Sequence, residues 1–149
     1  MADPHPYLVH FPIALFVCAV VCELVALLKH SRLFSQTALL TSIGAAGFCV
    51  LAVISGLIAK TATPLAGEIH QVVESHETFG YGVLACTLVF AALKSWSYVT
   101  GRRKFAETLI GVGLIGLLLL VLTSHEGGEL VYEHGVGVKQ STTTVITAP

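Results

Sequence analysis

The chain reads as an all-α protein, a membrane-embedded four-helix bundle, on three observations: 54% of its 149 residues are hydrophobic, only 11% are charged, and the apolar residues gather into four long runs. A soluble globular domain carries about a quarter charged residues, so this chain has too little polar surface to stay in solution. Its mean hydropathy of +0.82 agrees. The formal net charge is −1, and the one basic cluster is Arg102, Arg103 and Lys104, which argues against nucleic acid as a partner.

A hydrocarbon core about 30 Å thick takes about 20 apolar residues per helix, because each backbone polar group must be bonded within its own segment. The expected spans are about 9–28, 38–59, 77–99 and 105–124, in one transmembrane domain over 1–138 followed by an extended polar tail, 139–149. The first run is apolar except for Glu23. No basic region precedes it and no small-x-small site clearly follows, so it reads as a retained anchor rather than a cleaved signal. Residues 38–59 carry no charge, 79–99 are interrupted by Lys94 near their end, and 108–122 are apolar throughout, the last run extending back to Phe105 with Glu107 at the interface. Short connections between four helices make a bundle the default. Trp96 and Tyr98 fall where an aromatic belt places them, at the end of the third span.

Basic residues set the orientation. Lys29, Arg32, Lys94, Arg102, Arg103 and Lys104 lie on one side, which should be cytoplasmic; only Lys60 and Lys139 lie on the other. Both termini then face the periplasm, in a multi-pass protein of a bacterial inner membrane. Of the seven histidines, His5, His10, His70, His76, His125 and His134 fall on that outer side and His30 alone falls inside. His10 opens the first span, His76 opens the third and His125 closes the fourth, so antiparallel neighbours bring the three to one depth. His5 and His70 sit in segments expected to be loop.

Neutral imidazole is the commonest metal ligand near pH 7, so converging histidines point to haem iron or to a smaller ion, copper or zinc. His10 and His76 lead as ligands, with His125 and His134 behind them. Haem also needs a flat slot beside its ligands. Ala14 and Gly80, four residues after His10 and His76, supply small side chains there, as do Gly56, Ala59 and Gly82, while Lys60 and the adjoining threonines would meet the propionates. Against this stands the ordinary role of glycine and alanine in packing membrane helices, and of a histidine at a helix end as an interfacial polar group or cap. Gly127-Gly128 should break the last helix, so that 130–138 folds back and carries His134 over the bundle mouth.

Weaker features complete the inventory. Glu23 is an ionisable group within a span, costly enough to be a functional candidate. Cys18 and Cys22 share a helical face but have no third ligand nearby, and all four cysteines read as small buried hydrophobes rather than a disulfide frame. Gly44, Gly47, Gly111, Gly113 and Gly116 should allow close helix approach.

Two segments are distinctive as wholes. The opening His5-Pro6-Tyr7-Leu8-Val9-His10-Phe11-Pro12-Ile13-Ala14-Leu15 and the closing Gly127-Gly128-Glu129-Leu130-Val131-Tyr132-Glu133-His134-Gly135-Val136-Gly137-Val138 resemble the bacterial integral-membrane family called domain of unknown function 2231, over residues 5–138. The resemblance implies four membrane helices with a histidine near the start of the third, which His76 matches. It singles out His5, His10, His76 and His134, and it has no fixed histidine at His125.

The functional expectation is a b-type cytochrome subunit holding one or two haem b groups through periplasmic-end histidines. It would transfer electrons within a larger respiratory or photosynthetic redox complex, with quinone as a further partner. Alternatives are a non-haem copper or zinc membrane protein, and a cofactor-free assembly subunit. An electron-transfer subunit is favoured over a stand-alone enzyme, since no nucleophile–base set or phosphate-binding motif appears. Transport is disfavoured by the small number of helices.

Overall fold

The computed structural model describes residues 4–62, 67–101 and 105–138, and these are helical almost throughout. A short α1 (His5–Leu8) leads into α2 (His10–Lys29), followed by α3 (Arg32–Ala62), α4 (Glu68–Thr100) and α5 (Ala106–Tyr132). At 1.5 Å per residue, the 20 residues of α2 span about 30 Å, one bilayer core. The other three helices are longer. All four are long and apolar enough to cross a membrane.

The long helices close a ring, α2 on α3, α3 on α4, α4 on α5 and α5 on α2. Side-chain bonds at opposite ends fix the sense of α3 against α4: Lys60 donates to Glu77 at one end, and Gln36 Nε2 donates to the Tyr98 hydroxyl at the other. These two helices are therefore antiparallel. At the centre the rings of Phe16 and Phe90 meet edge to face, 5.7 Å between centroids. They fit because α5 presents no side chain there. A Cβ on Gly116 would fall 2.6 Å from the Phe16 ring, and one on Gly113 would fall 2.9 Å from Val20. With lipid tails as apolar as leucine, such close packing is what drives helix association. Gly47 and Gly111, expected to do the same, face no neighbour. Leu40, Leu118 and Val121 project from the outside of the ring.

The molecule consists of two like halves, related by a shift of 71 positions, the separation of Glu23 and Lys94. Glu23 in α2 and Lys94 in α4 are both buried and pair with each other. Buried Ala19, Ala38, Ala45 and Cys49 correspond in the same way to buried Phe90, Leu109, Gly116 and Leu120. The helix ends repeat too: His30 caps α2 in the left-handed conformation, φ 51, and Gly101 caps α4 at φ 65. The halves run in the same direction, so they are related by a pseudo-twofold axis along the bundle.

Two sequence expectations need correction. Gly127-Gly128 does not end the last helix; α5 continues through both to Tyr132, and the chain turns at Gly135, φ 64, where the Val136 amide donates to the Leu130 carbonyl. His5 and His70 are not in loops but in α1 and the first turn of α4. The expected tail, 139–149, and the basic stretch 102–104 lie outside the described residues.

Candidate functional site: a pair of imidazoles on the pseudo-twofold axis

At the end of the bundle that carries Lys60, two histidines from the two halves come together. The rings of His5 and His76 lie 6.4 Å apart between centroids and nearly perpendicular, at 84°. Both are half-buried. Each is seated in the same way on the second helix of its own half. His5 Nδ1 is 3.0 Å from the Ala52 carbonyl and 3.0 Å from Ser55 Oγ, and its ring lies over Gly56. His76 Nδ1 is 2.9 Å from the Thr123 carbonyl, and its ring lies over Gly127. Both histidines stand 47 residues before the carbonyl they bond.

The local chemistry explains the two glycines. A carbonyl inside a helix is shielded by the side chain one turn later, and glycine at that place opens it to an outside donor. A Cβ would stand 2.9 Å from the His5 ring at Gly56 and 3.1 Å from the His76 ring at Gly127. A carbonyl can only accept, so the proton of each neutral ring sits on Nδ1, and Nε2 keeps its lone pair. The rings are thus each held in one tautomer, with the proton on Nδ1. Nδ1–H bonded to a carbonyl is the usual outer support of a metal-bound histidine.

The other expected site residues are placed differently. His10 is exposed: it precedes buried Pro12 by two positions, roughly 200° around a helix, and so faces away from the core. His125 is exposed for the same reason, two positions from both Thr123 and Gly127. The expected meeting of His10, His76 and His125 therefore does not occur, and His5 takes the place given to His10. His134 follows α5, with Nε2 buried, 3.9 Å from a Glu129 carboxylate oxygen and without a hydrogen-bond partner. His70 is exposed, 3.7 Å from Glu74 one turn on. Lys60, expected to meet propionates, is 2.5 Å from Glu77, whose other oxygen accepts from Tyr81. A Cβ on Gly80 would meet open space, whereas Gly82 packs against Leu119. Among the described residues, no three His, Cys, Asp or Glu side chains form a metal cage.

At the other end the buried polar group is ionic. Lys94 Nζ donates to the Glu23 carboxylate and, at 2.8 Å, to Ser35 Oγ. Glu23 was legible as an ionisable group within a span, but its partner was not, because Lys94 reads as a residue near the water boundary. Sequence reasoning also missed Ser55, Thr123 and the ring-seating role of two glycines, Gly56 being expected to line a slot and Gly127 to break a helix. Comparing the chain with itself at a shift of 71 aligns His5 with His76, Gly56 with Gly127 and Glu23 with Lys94, which points to the two ring seats and to the ion pair.

A four-span helical membrane protein built as two like halves, with a polar pair on its axis at each end, is the class that fold and site define. The chain belongs to the family described as predicted membrane protein, domain of unknown function 2231, whose model matches residues 3–140. No curated protein and no solved structure matches it.

Proposed function

We propose that this protein is a membrane-bound b-type cytochrome subunit in which His5 and His76 would hold one haem. The observation that carries the reading is the identical seating of the two imidazoles, each with Nδ1 on a helix carbonyl and its ring over a glycine. The two ring centroids are 6.4 Å apart. When bound, haem supplies reversible one-electron chemistry, with its potential set by axial ligands, burial and hydrogen bonding. The chain's part is to hold both rings in the Nδ1–H tautomer. Ser55 adds a second acceptor to His5, and the Nδ1–H bonds raise the basicity of Nε2.

The distribution of Lys and Arg supports an inner-membrane orientation with the histidine end and both termini in the periplasm. Electrons would then be exchanged there with quinone or with other subunits of a respiratory or photosynthetic complex. A second reading, one copper ion between the same imidazoles, is favoured by the donor set, two nitrogens with Lys60 already neutralised by Glu77. A four-ligand zinc site has less support, for want of further donors among the described residues.

Protein purified from cells supplied with haem and copper distinguishes the readings. The cytochrome predicts a red preparation with a Soret band and an α band that sharpens on reduction. Copper near one per chain without a Soret band selects the second reading. A colourless, metal-free preparation refutes both and leaves a cofactor-free assembly subunit.

A further inference from the structure

The lysine end of the bundle holds a cavity of about 330 Å³ whose walls include Glu23, Arg32, Ser35, Lys94, Ser97 and Ala106. Lys94 and Glu23 are 3% and 4% exposed, among the most buried polar residues described. Burying an ion pair in a membrane interior costs free energy unless its remaining hydrogen-bonding capacity is met. Here it is only partly met. An ammonium has three protons, and among the described residues Lys94 donates to two partners, Glu23 and Ser35. Ser97, one turn from Lys94 and also lining the cavity, has a buried hydroxyl with no hydrogen-bond partner among the described residues.

Two further features make the cavity electropositive. Ala106 is the first residue of the 27-residue α5, and Phe105, at the N-cap, offers no side-chain bond to the helix amides. An uncapped helix N-terminus carries about half a positive charge and free N–H donors. Arg32 stands at the start of α3 on the opposite wall. The one carboxylate in the lining, Glu23, is already paired with Lys94, and Glu107 in the first turn of α5 is exposed and outside the lining. Among the described lining residues, the formal side-chain charge left over after the Glu23–Lys94 pair is the positive charge of Arg32.

We infer that this cavity binds a phosphate-bearing anion at the boundary of the bilayer, with Lys94, Ser97 and the first amides of α5 as donors to its oxygens and Arg32 as a guard charge at the rim. Helix N-termini and basic residues between membrane helices are both suited to phosphate. Two sources offer that chemistry there, the headgroup of an anionic phospholipid and free inorganic phosphate. The inference is independent of the haem reading, since it uses no residue of the imidazole pair.

The test titrates the full-length protein in detergent micelles with phosphatidylglycerol, with phosphatidylcholine, and separately with sodium phosphate against sodium chloride at constant ionic strength. Bound lipid is counted by native mass spectrometry and phosphate by equilibrium dialysis. Because Lys94→Met alone strands a buried carboxylate, the cation is removed with its partner as E23Q/K94M, and S97A and R32Q provide variants that leave the ion pair intact. Saturable binding of one phosphatidylglycerol per chain is expected, weakened about tenfold in E23Q/K94M and several-fold in S97A and R32Q. The same losses for inorganic phosphate, without lipid selectivity, would assign the site to the free ion. No saturable phosphate or phosphatidylglycerol binding, or binding equal in wild type and all three variants, overturns the inference.

Discussion

The two ends of this bundle meet one problem, polar side chains drawn onto an axis inside a membrane protein, in opposite ways. At the lysine end the halves contribute opposite charges, Glu23 and Lys94, which pair with each other. At the histidine end they contribute the same residue, His5 and His76, and each ring is satisfied by a carbonyl of its own half instead. The contrast separates structure from function. An ion pair directs its charges at itself, whereas the two imidazoles each turn Nδ1 to a helix carbonyl. The first arrangement joins the halves through one charge pair; the second sets like side chains of the two halves next to each other.

The largest expected effect breaks the ionic end. Lys94→Met leaves Glu23 buried without a counter-charge and should destabilise the fold by about 3–5 kcal/mol, whereas the double variant with Glu23→Gln should recover most of that loss. Thermal unfolding followed by size-exclusion chromatography reads both, and a double variant no more stable than the single would contradict the pairing. Next comes the packing that joins the halves. Gly116→Leu drives a side chain into Phe16 and should cost about 1–3 kcal/mol, while Gly111→Leu, facing open space, should be tolerated. Equal losses at both positions would remove the distinction between inward and outward glycines.

Smaller effects sharpen the histidine end and the repeat. Ser55→Ala removes one acceptor from His5 Nδ1 but leaves the Ala52 carbonyl, so cofactor affinity should fall by about 10–100-fold with the fold intact. Competition with an apo-haem acceptor measures this; an unchanged affinity would show that Ser55 does not support the ligand. His30→Gly puts at the end of α2 the residue that already caps α4 in the left-handed conformation, so α2 should end at the same place and helical circular dichroism should be unchanged; a loss of helix would contradict the equivalence of the two caps.

The fold was legible in the sequence because four long apolar runs, broken only by Glu23 and Lys94, leave the backbone no alternative to membrane helices. Their lengths were less legible: α4 begins at Glu68, well before its apolar run, because a helix that emerges from lipid needs no hydrophobic residues to continue in water. The reversal after α5 was misplaced because Gly127 serves to seat the His76 ring and not to break the helix. His76 stood out in the sequence from its place near the start of a span, and the concentration of histidines at one end pointed to the end of the bundle where His5 and His76 meet. The choice of His10 over His5 failed because position along the chain says which end of the bundle a residue occupies, not which way it faces. The internal repeat carries that missing information. A residue on the axis meets its own counterpart, and His10 corresponds to Tyr81, not to a histidine.

The central claim is that His5 and His76, and not the more conspicuous His10 and His125, form one ligand pair. Haem and copper content per folded chain, measured side by side for the four single His→Ala variants and the wild type, tests it most directly. Loss of the bound group in His5→Ala and His76→Ala, with wild-type occupancy in His10→Ala and His125→Ala, is the predicted result. Retention in either of the first two variants, or loss in either of the last two, would contradict it.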